Sequence, residues 1–197
     1  MSVGEIFPVS AADLAALHAQ LAQTADSADL LDLSYRLIDS PIGRLLLAAT
    51  PRGLVRIAFE YEGFDEVLES LATKISPRIL EGTNRLDAAW SELDEYFTGR
   101  RKAFDLELDF ALSSGFRQHV QRYLPQIGYG QTRSYKQVAE LVGNPRAVRA
   151  VGSACATNPL PVVVPCHRVL RADGSLGGYL GGLEIKRTLL QIESSAA

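Results

Sequence analysis

Three short apolar runs separated by turn residues set the strongest limit on what the first half of this chain can form. SYRLIDS, GRLLLAAT and GLVRIAFE follow one another between residues 34 and 60, and Ser-Pro, Thr-Pro and glycine steps interrupt them. Short aliphatic runs bounded by proline and glycine are typical of strands joined by tight turns. The pattern therefore predicts an antiparallel meander.

Helical patterns flank this meander on both sides. Residues 10–24, SAADLAALHAQLAQT, begin with a serine suited to an N-cap and carry leucines at helical spacing, and the acidic ADSADLLD after them is interpreted as a connector. FDEVLESLATKI and RLDAAWSELDEYFTG predict two more helices, the second ending at Gly99. AFDLELDF alternates with a period of two and predicts one further strand.

The charge of the chain is divided unevenly between its two halves. Residues 1–110 contain 10 Lys/Arg and 19 Asp/Glu, a balance of −9, whereas residues 111–197 contain 10 and 4, a balance of +6. A basic half suits contact with a polyanion, with the acidic half as scaffold. Unequal solvated faces explain the same numbers.

Two short helical segments in the basic half have the layout of a helix-turn-helix. Ser134 can cap the helix YKQVAELVG, and Asn144-Pro145 opens a second segment, RAVRAVGSACAT, with Arg149 near its start. A glycine-containing turn between two such helices is typical of DNA-binding proteins. The same pair also occurs in proteins that never contact DNA.

The apolar run VVVP predicts a strand, and it ends in a cysteine followed by a histidine, Cys166 and His167. A cysteine attacks as the thiolate, so its proton must be removed or its pKa lowered by neighbours. Consecutive side chains on a strand point to opposite faces, so contact between the two requires a turn or a bridging water. Glu193 is the best acidic candidate to hold the imidazole. An inert buried thiol beside a core histidine remains the alternative, and Cys155 is interpreted as such a core thiol.

The cysteine and histidine content bounds the remaining chemistry and the compartment. Two cysteines cannot build a disulfide framework, which favours a reducing compartment. Zinc would need about four ligands, and the basic half offers two cysteines and two histidines without paired spacing, so no metal site is predicted. No export signal pattern and no apolar run long enough for a bilayer are found, so we expect a soluble, cytoplasmic protein without membrane contact.

The stretch from Asn158-Pro159 to Pro165-Cys166-His167-Arg168-Val169 resembles the active-site signature of the O6-alkylguanine-DNA alkyltransferases, or methylated-DNA–protein-cysteine methyltransferases. The likeness continues through GYGQTRSY, VAELVGNPRAVRAVGSA and GSLGGYLGGLEIKRTLLQIE, and more loosely upstream to Ser34. It covers roughly four-fifths of the chain and leaves residues 1–32 unexplained.

The resemblance implies an α+β fold. A small antiparallel sheet with helices, ribonuclease H-like, would form an N-terminal scaffold domain over residues 33–110. A mainly helical domain with a winged helix-turn-helix would occupy residues 111–197 and carry both DNA binding and alkyl transfer. Residues 1–32 would be an N-terminal extension.

The resemblance also implies the reaction. The protein would bind double-stranded DNA, flip out an O6-alkylguanine and move the alkyl group to its own cysteine in a single turnover. O4-alkylthymine would be a second substrate. No cofactor is implied; the protein would act as a monomer, with cooperative binding along DNA left open.

Five residues carry the chemistry that the resemblance implies. Cys166 would be the nucleophile, and His167 would take its proton through a water molecule. Glu193 would orient the imidazole, and Asn158 would brace the turn that carries the thiol. Tyr135 would donate its hydroxyl proton toward the departing guanine.

The second helix of the pair would bind DNA in this scheme. Arg149 would enter the base stack and fill the gap left by the flipped nucleotide, while Ala150, Gly152 and Ser153 of the same helix would lie against the DNA beside Tyr135.

A glycine-rich loop after the cysteine would line the substrate pocket. Tyr179, Leu180 and Gly181 would surround the alkylated base, with the Leu180 amide near its O6 atom. The backbone carbonyls of Cys166 and Val169 would accept hydrogen bonds from the exocyclic amine of guanine and so recognise the base.

Several positions depart from the family pattern. Gln121 stands where bacterial relatives often have tryptophan, and Gly128 replaces a proline, which affects packing and loop rigidity more than chemistry. The cysteines that bind zinc in the N-terminal domain of some relatives are absent. Two rival functions compete with this one: a lesion-binding module without chemistry would need a non-nucleophilic residue where this chain has Cys166, and a thiol hydrolase or peroxidase would turn over without DNA. Arg168 is interpreted as a structural salt-bridge residue.

Overall fold

The meander predicted from the three apolar runs is present in the computed structural model, which describes residues 10–82 and 84–195. Each strand pairs antiparallel with the next, and a fourth strand that the sequence pattern missed joins the edge parallel to the first. The order across the sheet is third, second, first, fourth. The strands are β1 (Leu33–Ile38), β2 (Leu45–Thr50), β3 (Gly53–Phe59) and β4 (Ile79–Glu81).

Both faces of this sheet are covered, which explains why every residue of β2 is buried. Helix α2 (Phe64–Lys74) packs Val67 and Leu71 on one face, against side chains such as Leu46 and Val55. Helix α3 (Asp87–Phe97) covers the other face, and the core there continues without a break into the helices of the second half. The sheet therefore shares one hydrophobic core with the part of the chain that carries Cys166.

The second half of the chain is helical, as predicted. Its helices are α4 (Gly115–Tyr123), α5 (Tyr135–Leu141), α6 (Val148–Ala156) and α7 (Gly182–Ser195). Ser134 caps α5 in a reciprocal capping box with Gln137. A two-residue strand, β5 (Arg133–Ser134), pairs in parallel with β6 (Val169–Leu170) and ties the start of α5 to the segment after Cys166.

The two predicted DNA-binding helices are present, but the second is shorter than the sequence indicated. It begins at Val148 rather than at Arg146, because residues 142–147 form the turn between the helices. Within this turn Gly143 has a φ of +77° and Asn144 N–H donates to Ala139 O at 2.9 Å. The pair α5 and α6 therefore has the helix-turn-helix layout.

The prediction of a strand at VVVP is wrong. Residues 160–164 form buried turns, and Val162 has a φ of +74°, which is unusual for a β-branched residue. Prolines 159, 161 and 165 remove backbone donors that a ladder would need, and Val164 N–H donates back to Leu160 O at 2.8 Å. The valines are apolar because this loop is buried in the core.

The strand predicted at AFDLELDF is also absent, apart from one bridge between Leu54 and Leu108. Leu54 exchanges hydrogen bonds with Glu107 and Asp109 on the free edge of β3. Further along that edge, Ile57 N–H donates to Pro159 O at 2.8 Å. The loop before Cys166 thus occupies the edge that a longer strand would need.

The N-terminal helix α1 (Ala11–Ser27) starts at the predicted cap, where Ser10 and Asp13 form a capping box, and runs three residues beyond the predicted end. The first residues of the predicted connector are therefore helical. Residues 1–9 of the predicted extension lie outside the described residues. In the part of the chain that is described, no helix has both the length and the apolar character needed to cross a membrane.

Replacing Gly53 by alanine should destabilise the fold far more than the same change at Gly43. Both have positive φ, +129° and +97°, but a Cβ at Gly53 would lie 2.2 Å from Glu107 O, whereas at Gly43 it meets nothing within 4 Å. We expect a loss of about 1 kcal/mol for Gly43→Ala from backbone strain and about 3 kcal/mol for Gly53→Ala. Urea unfolding of both variants measures the difference, and equal losses would contradict the steric account.

Candidate active site

A single 3₁₀ turn, Cys166–Arg168, carries the cysteine and the histidine. Cys166 N–H donates to Val164 O at 2.8 Å and Arg168 N–H to Pro165 O at 3.0 Å, so the chain bends where a strand would have continued. The turn that the Cys–His pair requires is therefore present, and the Cys166 side chain is only 2% exposed.

Asn158 holds this turn from the end of α6. Its side-chain nitrogen donates to Val164 O at 2.8 Å and lies 3.2 Å from Cys166 Sγ, while its side-chain oxygen accepts from Leu160 N–H at 3.1 Å. The amide is completely buried, so it has no solvent to replace these partners. Asn158 therefore braces both ends of the loop and contacts the sulfur itself.

Burial raises the pKa of the Cys166 thiol to about 11, against the opposing effects of the Asn158 hydrogen bond and the Lys186 charge. Lys186 on α7 is fully buried and donates to Val169 O at 2.7 Å. At neutral pH the sulfur is therefore a neutral thiol, and a base must remove its proton before it can attack. Lys186 was missed by the sequence reasoning, although it lies on the same helical face as Leu189 and Glu193.

His167 is the candidate for that base. Its Nε2 lies 2.8 Å from Glu193 Oε1, and because a carboxylate only accepts hydrogen bonds, Nε2 carries the proton. The other ring nitrogen, Nδ1, is buried and has no hydrogen-bond partner in the described residues. Burial lowers the pKa of His167 against the effect of Glu193, so the ring is neutral with Nδ1 free to accept a proton.

Glu193 is the centre of a buried network. Besides His167 it accepts three hydrogen bonds from Arg168, at 2.8, 3.0 and 3.1 Å, one from Gly130 N–H at 3.1 Å and one from the Tyr96 hydroxyl at 2.8 Å. Burial raises the pKa of this carboxyl, but the hydrogen bonds from His167 and Arg168 outweigh it and bring the pKa to about 2. Arg168 is thus a buried salt-bridge residue, whereas Tyr96 and Gly130 were not found from the sequence.

Tyr135 is the first residue of α5, and its hydroxyl lies against the backbone of Gly177. A Cβ built on Gly177 would be 2.3 Å from the Tyr135 oxygen, so only glycine leaves room for the phenol here. The ring is half-buried, which raises the pKa of the phenol and keeps it a proton donor. Gly177 is therefore a further site residue, hidden from sequence reasoning among the glycines of one loop.

The predicted pocket residues lie around the same turn as Cys166. The Tyr179 ring stands perpendicular to His167, with centroids 6.4 Å apart, and its hydroxyl is buried next to the Val162 backbone. Gly181 is packed so closely that a Cβ would meet Phe59 at 2.8 Å. Val169 O already accepts from Lys186 and has one lone pair left.

A cavity of about 480 Å³ lies between α2 and the loop that follows α6. Asn158 and Leu180 form part of its wall, together with Arg56 and Arg117. Of the four predicted pocket residues, only Leu180 is in that wall within the described part of the chain.

Helix α6 presents a face of small residues to solvent with one arginine at its start. Arg149 and Ser153 are exposed, and Ala150 and Gly152 are half-exposed; a Cβ on Gly152 would meet nothing within 4 Å. Cys155 lies on the opposite, buried face, so its interpretation as a core thiol is confirmed. Such a surface allows another backbone to approach closely.

The two departures from the family pattern have structural roles. Gln121 is fully buried and donates from its side chain to Ala154 O at 2.9 Å, which ties α4 to α6, while its side-chain oxygen is unpaired among the described residues. Gly128 is exposed and accepts a hydrogen bond from Gln131 N–H at 3.0 Å in a turn.

Within residues 10–82 and 84–195, no three metal-ligating side chains are grouped to hold an ion.

Two family models together match most of the chain from Leu33 onward. Residues 33–110 match the 6-O-methylguanine DNA methyltransferase ribonuclease-like domain, and residues 115–195 match the 6-O-methylguanine DNA methyltransferase DNA binding domain. A methylated-DNA–protein-cysteine methyltransferase from Mycolicibacterium paratuberculosis is 44% identical over 163 residues, covering 82% of this chain and 92% of that protein. One from Methanosarcina barkeri is 39% identical and covers 82% of this chain and 97% of that protein.

Solved structures agree with the sequence matches. The crystal structure of Mycobacterium tuberculosis O6-methylguanine methyltransferase has a TM-score of 0.73 at 39% identity, covering 84% of this chain and 94% of that one. Mycobacterium tuberculosis OGT in complex with DNA gives the same TM-score and identity, covering 83% and 94%. These structures confirm the predicted α+β fold class. The chain therefore belongs to the methylated-DNA–protein-cysteine methyltransferase family.

Proposed function

We propose that this protein repairs DNA by moving the alkyl group of O6-alkylguanine to Cys166, once per molecule. The observation that carries the proposal is the buried series Cys166, His167 and Glu193, in which Nδ1 of the histidine is left free to accept a proton. A neutral thiol of raised pKa needs such a base. The relatives named as methylated-DNA–protein-cysteine methyltransferases support the same reaction.

The proposed step balances in bonds and protons. Cys166 Sγ forms a bond to the alkyl carbon while the carbon–O6 bond breaks, and its electron pair stays on the guanine. The thiol proton passes through a water molecule to Nδ1 of His167, whose charge Glu193 stabilises. The guanine takes a proton from the Tyr135 hydroxyl, and the imidazolium proton restores the phenol through solvent. The thioether has no leaving group, so the protein is used up.

Double-stranded DNA is the partner that the α6 face fits. We infer that Arg149 enters the stack at the flipped nucleotide and that Ala150, Gly152 and Ser153 approach the minor groove, because small side chains leave no obstacle there. The surplus of six positive charges in residues 111–197 suits the phosphate backbone. Mycobacterium tuberculosis OGT, of the same fold, has been crystallised with DNA.

The flipped base must reach a sulfur that is 2% exposed. We propose that it enters beside the loop that holds Tyr179, Leu180 and Gly181. The carbonyls of Cys166 and Val169 each keep a lone pair for the exocyclic amine.

Five finer statements belong to the same proposal. The family matches support a scaffold domain over residues 33–110 and a transfer domain over residues 111–197, with residues 1–32 as an extension. Two free buried thiols suit a reducing, cytoplasmic setting. We further infer that the protein acts as a monomer without a cofactor and that O4-alkylthymine is a second substrate.

Mixing the protein with duplex DNA that contains O6-methylguanine should add one methyl group to the peptide that holds Cys166. Intact-mass and peptide mass spectrometry measure the transfer, which should stop after one equivalent. Cys166→Ser should abolish it, whereas Cys155→Ser, which changes the buried thiol on the far face of α6, should keep it. An unchanged mass in folded, reduced protein, or turnover without DNA, would contradict the proposal.

Arg149→Ala should slow transfer from duplex DNA by about tenfold or more, because the gap left by the flipped base is then unfilled. Transfer from single-stranded DNA should change by about twofold at most, since that substrate needs no unpairing. Single-turnover rates on the two substrates test this. Arg100→Ala, an exposed arginine paired with Asp94 in the other half of the chain, controls for the lost charge. Equal losses on both substrates would assign Arg149 to general phosphate binding instead.

Gly177→Ala should slow transfer by about tenfold, because the new methyl group would displace the Tyr135 hydroxyl. Gly178→Ala, where a Cβ meets nothing within 4 Å, should cost clearly less. Combining each change with Tyr135→Phe provides the check: once the hydroxyl is gone, Gly177→Ala should cause little further loss. Full additivity of the two losses would contradict the proposed contact.

A further inference from the structure

A tyrosine from the N-terminal half reaches the centre of the candidate active site. Tyr96, on the last turn of α3, is completely buried, and its hydroxyl donates to Glu193 Oε1 at 2.8 Å. The ring is fixed by aromatic neighbours on several sides, with centroids 5.4 Å from Phe97, 5.2 Å from Phe104 and 6.0 Å from Tyr129. The hydroxyl is therefore held in place by packing before it meets the carboxylate.

The oxygen that Tyr96 contacts is the one that holds the imidazole. Glu193 Oε1 accepts from His167 Nε2 at 2.8 Å and from Arg168 Nη2 and Nε at 2.8 and 3.1 Å, so with Tyr96 three residues from two halves of the chain donate to one atom. Burial raises the pKa of the Tyr96 phenol far above its ordinary value, which keeps it a donor at every working pH. A change at Tyr96 therefore acts on His167 through a single shared atom.

We propose that Tyr96 is a positioning residue for alkyl transfer, which holds Glu193 Oε1 in place and so sets the orientation and basicity of His167. This inference rests on the proposed function, and it makes the N-terminal half part of the reactive machinery. Tyr96 touches neither the thiol nor the substrate in this scheme. Its effect is transmitted from hydroxyl to carboxylate to imidazole.

The direction of the effect follows from the loss of a donor. Without the Tyr96 hydroxyl the Glu193 carboxylate is more basic, its bond to the Nε2 proton is stronger, and the protonated imidazole is favoured. The pKa of His167 should then rise. Since Nδ1 must be unprotonated to take the thiol proton, the pH at which transfer is half-maximal should rise with it. The other polar groups around this ring, which remain unchanged, are Lys186 on α7, Arg168, Tyr179 and Cys166.

Tyr129 offers a matched control. Its hydroxyl donates to Ile192 O at 3.1 Å, on the same helix and one residue before Glu193, but to the backbone rather than to the carboxylate. Tyr129→Phe and Tyr96→Phe therefore each remove one tyrosine hydroxyl bound to α7. Only the second removes a donor from Glu193.

The experiment compares both variants with the unchanged protein in single-turnover transfer from duplex DNA containing O6-methylguanine, between about pH 5 and 9. Tyr96→Phe should slow transfer by about tenfold, a fraction of what a general base supplies, and move the half-maximal pH upward, with the affinity for unmodified duplex unchanged. Tyr129→Phe should change the rate by about twofold at most and leave the half-maximal pH where it is. A purely structural role for Tyr96 would lower thermal stability without moving that pH.

A second measurement needs no DNA. NMR titration of the His167 ring, told apart from His18 and His119, should give a higher pKa in Tyr96→Phe than in the unchanged protein or in Tyr129→Phe. An unshifted ring pKa, or transfer by Tyr96→Phe as fast as normal with an unmoved pH profile, overturns the inference while the proposed function stands. If the unchanged protein transfers nothing, the proposed function fails, and the ring titration still decides whether Tyr96 controls His167.

Discussion

The buried carboxylate of Glu193 is the interaction on which the rest of this structure depends. Taking a carboxylate out of water costs several kcal/mol unless charges and hydrogen bonds replace the lost solvent. Here the replacement comes from three separate parts of the chain: α3, the loop at Gly130, and the 3₁₀ turn with His167 and Arg168. A shift of any one of them away from α7 would remove part of that replacement. The same network that closes the fold therefore fixes the base of the candidate reaction.

The thiol is subject to the opposite constraint, because burial keeps it neutral. A resting thiolate would react with oxidants as readily as with an alkyl group, and Cys166 avoids this through its raised pKa and its 2% exposure. In the proposed reaction its proton leaves toward Nδ1 of His167, which has no hydrogen-bond partner among the described residues. Asn158 at 3.2 Å and the Lys186 charge favour the sulfur anion once it forms. Because each protein molecule reacts only once, this arrangement restricts the reaction of the thiol to a substrate that enters the site.

Local patterns predicted the parts of the fold that local forces determine. The meander, α2, α3 and the capped start of α5 follow from periodicity and cap residues, and the structure has them. The strand prediction at VVVP was wrong, because an apolar run shows that a segment is buried but not whether it forms a strand or a loop. The strand prediction at AFDLELDF was wrong because Pro159 O binds the edge of β3 with which a longer strand would have paired. Asn158, His167 and Glu193 could be named from the family signature, but Tyr96, Gly177 and Lys186 reach the site through tertiary contacts that no spacing encodes.

These tertiary contacts give the acidic half a role beyond support. From β3, Ile57 N–H at 2.8 Å and the Arg56 guanidinium at 3.3 Å both bind Pro159 O, one residue after the asparagine that touches the sulfur. From α3, Tyr96 binds the carboxylate that holds the imidazole. The two ends of the proton path are thus each held by a different element of the first half. Because a shift of either element would displace one end of the path relative to the other, the distance between thiol and base depends on the packing of the sheet against the C-terminal helices.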